Sequence, residues 1–124
     1  MYETVKQVQQ APRSVNSSVG FRVLVKPEIS ILTRELRQSL GGKTLLQCHV
    51  TAYPMATVFW EKAGRELQTE KERYEVTVYD DGPNKLVLNL DIKNLRDSDF
   101  GIYTCDASNA LGQAKDAMTL KREL

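Results

Sequence analysis

The chain has 124 residues, with 17 basic and 16 acidic side chains, a single histidine and two cysteines. That length supports one domain with a modest core, and the nearly cancelling charge supplies no field for phosphate or anionic lipid, so nucleic acid is not an expected partner. Apolar runs are too short for a transmembrane helix, so no direct membrane insertion is expected.

The start, Met1-Tyr2-Glu3-Thr4, lacks the basic-then-apolar layout of a signal peptide, so the chain reads as an excerpt of a longer one with an added Met1. Residues 1–25 are polar and uneven, and only Phe21-Arg22-Val23-Leu24-Val25 reads as a strand, ended by Pro27. Two readings stand for this segment: a linker, or the end of a preceding domain whose last strand is Gly20 to Val25. From Lys26 onward the apolar period is two, the mark of half-buried strands. Ile29-Ser30-Ile31 alternates, and Leu40-Gly41-Gly42-Lys43 is a turn. Leu46, Cys48 and Val50 then share one face. Val58 and Trp60 share a face, with Phe59 and Glu61 opposite, before a turn at Ala63-Gly64-Arg65. Tyr74, Val76 and Val78 alternate with Glu75, Thr77 and Tyr79. Asp80-Asp81-Gly82-Pro83-Asn84 is a strong turn signal. Leu86, Leu88, Leu90 and Ile92 form the next inward set, the run Asp99 to Cys105 follows, and Asn109-Ala110-Leu111-Gly112 closes a hairpin before inward Met118 and Leu120. This makes about eight strands, no helix, and a domain over 26–124.

The two cysteines stand fifty-seven residues apart, too far for a C-x-x-C redox motif. They form either a disulfide or two buried thiols. The spacing suits a bridge between the two sheets of a sandwich, with Trp60, twelve residues after Cys48, packed against the sulfurs. Such a bridge would contribute about 4 kcal/mol by chain entropy and favours an oxidising compartment. Two free thiols would fit a cytosolic copy of the same fold.

Leu46-x-Cys48, Trp60, Leu86-x-Leu88-x-Leu90, Asp99-x-Gly101-x-Tyr103-x-Cys105 and Asn109-x-x-Gly112 occur in this order. In them the chain resembles the immunoglobulin superfamily, and its intermediate or I-set subtype in particular, over Lys26 to Leu124. The resemblance implies an all-β, two-sheet Greek-key sandwich with one inter-sheet disulfide, Cys48 to Cys105, and a core of Trp60, Tyr103, Leu46 and Leu88. It also implies a tyrosine corner, with the Tyr103 hydroxyl turned back to the backbone near Asp97. Gly101 would let the corner backbone pass closely, and Asp99 would either accept local amides or pair with Arg73. The runs Cys48-His49-Val50-Thr51-Ala52-Tyr53-Pro54 and Asp99-Phe100-Gly101 look most like multi-domain neural adhesion proteins of the lachesin and IgLON groups. In those, a segment like Val23-Leu24-Val25-Lys26-Pro27 joins two Ig domains. Similar domains occur in receptor kinases, matrix proteins and giant sarcomeric proteins.

No reaction chemistry is legible, and no catalytic residue, metal or cofactor is expected. His49 lies one residue after Cys48 and points outward, with no further histidine or spare cysteine to complete a zinc site. A nucleophile–base–orienter set is not readable. Asp80-Asp81-Gly82 lacks EF-hand spacing. Gly41-Gly42-Lys43-Thr44 fails as a phosphate loop because Arg37 stands where the first glycine is needed. Asn16-Ser17-Ser18 is an N-glycosylation sequon, so Asn16 is a candidate glycan site. By parity with Trp60 and Cys105, Phe59 and Ile102 point out of their sheet, joined by Ala117 and Thr119. These four are the candidate protein-binding face. The expected function is non-catalytic recognition of other Ig-type domains, homophilic or heterophilic, at the cell surface, with neighbouring Ig domains in the same chain. The alternatives are a cytoplasmic spacer of a sarcomeric or actin-associated protein, or an ectodomain module of a receptor kinase.

Overall fold

Successive side chains of a strand point to opposite faces, so core residues recur with a period of two. The structure, a computed structural model, describes residues 2–4 and 23–124. Among them the strands are β1 (Tyr2–Thr4), β2 (Val23–Ser30), β3 (Glu35–Gln38), β4 (Thr44–Tyr53), β5 (Thr57–Lys62), β6 (Arg65–Glu66), β7 (Tyr74–Asp80), β8 (Lys85–Ile92), β9 (Gly101–Asn109) and β10 (Gly112–Arg122). Along β4, buried Thr44, Leu46, Cys48, Val50 and Ala52 alternate with less buried neighbours.

Two five-stranded sheets face each other, in the orders β1-β2-β4-β8-β7 and β3-β10-β9-β5-β6. Strand pairing is antiparallel except between β3 and β10. The chain changes sheet between β2 and β3. There the Arg34 carbonyl accepts the Thr119 amide at 2.8 Å, and its guanidinium forks onto both carboxylate oxygens of Asp116 at 2.6 Å. The sandwich is therefore tied along one edge by a continuous run of backbone.

Three short edge strands, β1, β3 and β6, raise the count above the expected eight. Pro27 does not end a strand: β2 runs through it, with the register shifting between Val25 and Glu28. A bulge leaves one residue without a ladder partner, which suits a residue with no N–H. The boundary expected at residue 26 thus falls inside β2. The remainder of the 1–25 segment, including the Asn16 sequon, lies outside the described residues.

The core fills the space between the sheets. Trp60, Cys48, Leu88, Leu90, Ile92, Tyr103, Cys105 and Ala107 are fully buried, with Leu46, Val50 and Leu120 nearly so. The Cys48–Cys105 disulfide joins β4 of one sheet to β9 of the other. Trp60 lies directly across from Cys105. Its indole N–H donates to the Leu88 carbonyl at 3.4 Å in the opposite sheet, which provides the polar partner that a buried indole needs.

Candidate protein-binding face

At one end of the sandwich the chain enters β9 through a single 3-10 turn, Asp97–Asp99. Asp99 is 1% exposed and saturated with donors: Arg73 Nη2 at 2.6 Å, the Arg96 amide at 2.7 Å and the Tyr74 hydroxyl at 3.0 Å. Burial alone pushes its carboxyl up, but those hydrogen bonds and the charge of Arg73 together outweigh burial and hold it below the usual carboxylate range. Arg73 is raised by its hydrogen bond to Asp99 and also donates to the Lys93 and Asn94 carbonyls. The Tyr103 hydroxyl turns back onto the backbone, donating to the main-chain carbonyl of Asp99 at the end of the 3-10 turn that begins at Asp97. Burial pushes the Tyr103 phenol well up. At Gly101 a Cβ would meet only the Lys62 side chain, at 3.7 Å, so close passage is not what requires glycine; φ of +138° is. This corner is a brace.

The outward face of β5, β9 and β10 is different. Because Trp60 and Cys105 face inward, their neighbours Phe59, Glu61, Thr104 and Asp106 face out. Register arranges this face in rows across the strands. Phe59, Asp106 and Lys115 form one row, Glu61, Thr104 and Ala117 the next, and Ile102 and Thr119 a third. Ile102 is 62% exposed, whereas Phe59, Ala117 and Thr119 are half-buried. The structure brings Ile102, Thr119 and Ala117 together. Phe59 stands two rows away, about 13 Å along the sheet at ordinary strand rise, so it does not join Ile102 in one apolar patch.

The neighbour of Phe59 is Asp106, a residue the sequence reasoning passed over. It is 3% exposed although it faces outward. Gln113 Nε2 donates to its two oxygens at 3.0 and 3.1 Å, and Lys115 Nζ stands 3.6 Å away. Its outward direction was readable, since it directly follows Cys105. Its burial was not, because the cover comes from another strand.

At the far end, the Asn109 side chain joins three segments. Its amide donates to the carbonyls of Val25 and Pro54, both at 3.0 Å, and its oxygen accepts the Leu111 amide at 2.9 Å. A cleft of about 290 Å³ opens between the β4–β5 and β7–β8 turns, with Met55 and Pro83 in its lining. His49 sits half-buried on the outer face of the other sheet, opposite Val87 and Ser30. No group of three or more His, Cys, Asp or Glu side chains that could hold a metal occurs among the described residues.

The family model for the immunoglobulin I-set domain matches residues 27–121. Kazal-type serine protease inhibitor domain-containing protein 1 of Mus musculus is 37% identical over 98 residues, 77% of this chain and 31% of that protein. Protein amalgam of Drosophila melanogaster is 34% identical over 108 residues, 86% of this chain and 30% of that protein. Neural cell adhesion molecule 1 of Gallus gallus is 24% identical over 106 residues, covering 86% and 10%. The chain thus spans less than a third of the length of each of these relatives. Among solved structures, a chain from the complex of Dpr2 Ig1-Ig2 with DIP-Theta Ig1-Ig3 superimposes with a TM-score of 0.75 at 26% identity, covering 84% of this chain and 36% of that one. Titin M4 superimposes with a TM-score of 0.68 at 30% identity, covering 81% and 98%.

Proposed function

Because the chain belongs to the immunoglobulin I-set family, we propose that it is a non-catalytic recognition module of a multi-domain cell-adhesion or cell-surface protein. It binds another Ig-type domain through the outward face of β9 and β10, centred on Ile102. The carrying observation is a large apolar side chain, 62% exposed, standing over the smaller, half-buried Thr104, Ala117 and Thr119. Ile102 projects from this low ground as a knob, the form an interface anchor takes. Two similarities support the reading: one relative is a neural cell adhesion molecule, and one structural neighbour is a complex between Ig-domain chains. The disulfide favours an oxidising, extracellular setting.

A second reading is a structural spacer in a sarcomeric protein, favoured by the near end-to-end match to titin M4. A panel of immobilised Ig-type ectodomains probed with multimerised wild-type chain and with Ile102→Asp separates the two. Capture that Ile102→Asp abolishes, with an unchanged unfolding midpoint, supports recognition through this face. Capture that the variant leaves intact removes the face from the proposal, and two free thiols in cell-derived protein would favour the spacer.

A further inference from the structure

We infer that Phe59 and Asp106 form a slot for an arginine side chain of the protein partner. This rests on the reading that the β5–β9–β10 face binds protein, and it adds the partner's chemistry.

The argument starts from two buried aspartates with unlike surroundings. Asp99 has three donors within 3.0 Å, one of them a guanidinium. Asp106 is almost as buried, yet it holds one neutral amide shared between its two oxygens and an ammonium 3.6 Å away. Charge-assisted bonds to carboxylates close to about 2.7–2.9 Å, and an ionised carboxylate has about four acceptor sites. Asp106 therefore keeps acceptor capacity for a second, better-placed cation.

The cover over Asp106 comes from exposed side chains. The Lys115 side chain is 55% exposed, and Gln113 is exposed. Both are long and come from β10. On the opposite flank, half-buried Phe59 lies in the same row on β5. A guanidinium is planar, forks onto both oxygens of one carboxylate and stacks on an aromatic face. Seated between Phe59 and Asp106, it would use all of these properties and release Lys115 to water. An ammonium would only repeat the point contact that Lys115 already makes. The slot thus selects arginine over lysine. It lies two rows from Ile102, so one partner surface could engage both.

The test is a heteronuclear NMR titration of the isotope-labelled chain with N-acetyl-arginine amide and, separately, N-acetyl-lysine amide. The arginine probe should give saturable shifts at the Gln113 side-chain amide and at the Phe59 and Asp106 amides, with the lysine probe roughly tenfold weaker. Asp106→Asn should abolish the arginine response. Phe59→Leu, which preserves apolar packing, should weaken it several-fold. Equal responses to the two probes, or arginine shifts that survive Asp106→Asn, overturn the slot. If the slot titrates as expected while Ile102→Asp leaves Ig-domain capture intact, the reading centred on Ile102 fails and the slot stands.

Discussion

Tyr103 donates its hydroxyl to the main-chain carbonyl of Asp99, while Arg73 holds the carboxylate of the same residue at 2.6 Å. Asp99 therefore fastens the start of β9 through its backbone and the start of β7 through its side chain. Tyr103→Phe keeps the ring and leaves that buried carbonyl without its donor. The expected cost is about 1–3 kcal/mol, read as a lower urea midpoint with an unchanged slope. An unaltered midpoint would mean that the carbonyl finds another donor.

The same corner gives the fold an acid limit. The folded Asp99 carboxyl is held below the ordinary carboxylate value, so the unfolded chain binds its proton first as pH falls. The stabilisation is complete above about pH 5, begins to be lost near the ordinary value of about 4, and is gone once pH has fallen through the folded value. Denaturant midpoints measured from neutral pH downward should hold level and then drop. In Asp99→Asn the neutral-pH midpoint should be lower and the acid drop shallower; a drop as steep as in the wild type would assign the acid limit to other carboxyls.

Trp60 has no exposed surface and lies against the disulfide-bonded Cys105. Trp60→Ala should open a cavity and cost about 3–5 kcal/mol, enough to unfold much of the chain at physiological temperature. Calorimetry on the variant checks this, and a melting temperature like that of the wild type would contradict the packing described.

Removing the Cys48–Cys105 bridge frees a loop with a sequence separation of 57. By chain entropy the change should cost about 4 kcal/mol. Thermal unfolding of a Cys48→Ala, Cys105→Ala chain beside the oxidised wild type measures it. Equal stability would show that the sandwich holds without the covalent tie.

Gly101→Ala tests whether backbone angle or crowding selects glycine at the entry to β9. At φ of +138° an alanine should cost about 1–3 kcal/mol through strain. Adding Lys62→Ala should not restore the loss. Recovery in the double variant would place the cost in the side-chain contact instead.

The core strands were legible because β4 alternates cleanly and the inward residues of the others can be counted from Cys48 and Cys105. The edges were not. Glu35–Gln38 and Arg65–Glu66 are short and polar, so no alternation marks them; they are strands because neighbouring backbone offers them hydrogen bonds. Pro27 argued for a break, and only the bulge between Val25 and Glu28 lets β2 continue. On the candidate face, parity correctly pointed Phe59 and Ile102 outward but said nothing of the offset between β5 and β9. That offset places Asp106, not Ile102, beside Phe59. Register is a property of two strands at once, and a pattern read along one strand does not contain it.

Asn109 has a mechanical consequence. Its side chain bonds Val25 where β2 begins, Pro54 at the corner after β4, and Leu111 in the hairpin before β10. A strand, a turn and a hairpin loop are thereby tied together through one side chain. Torque applied to the chain at Val23–Val25 is shared with both of the other segments rather than absorbed by a swivel.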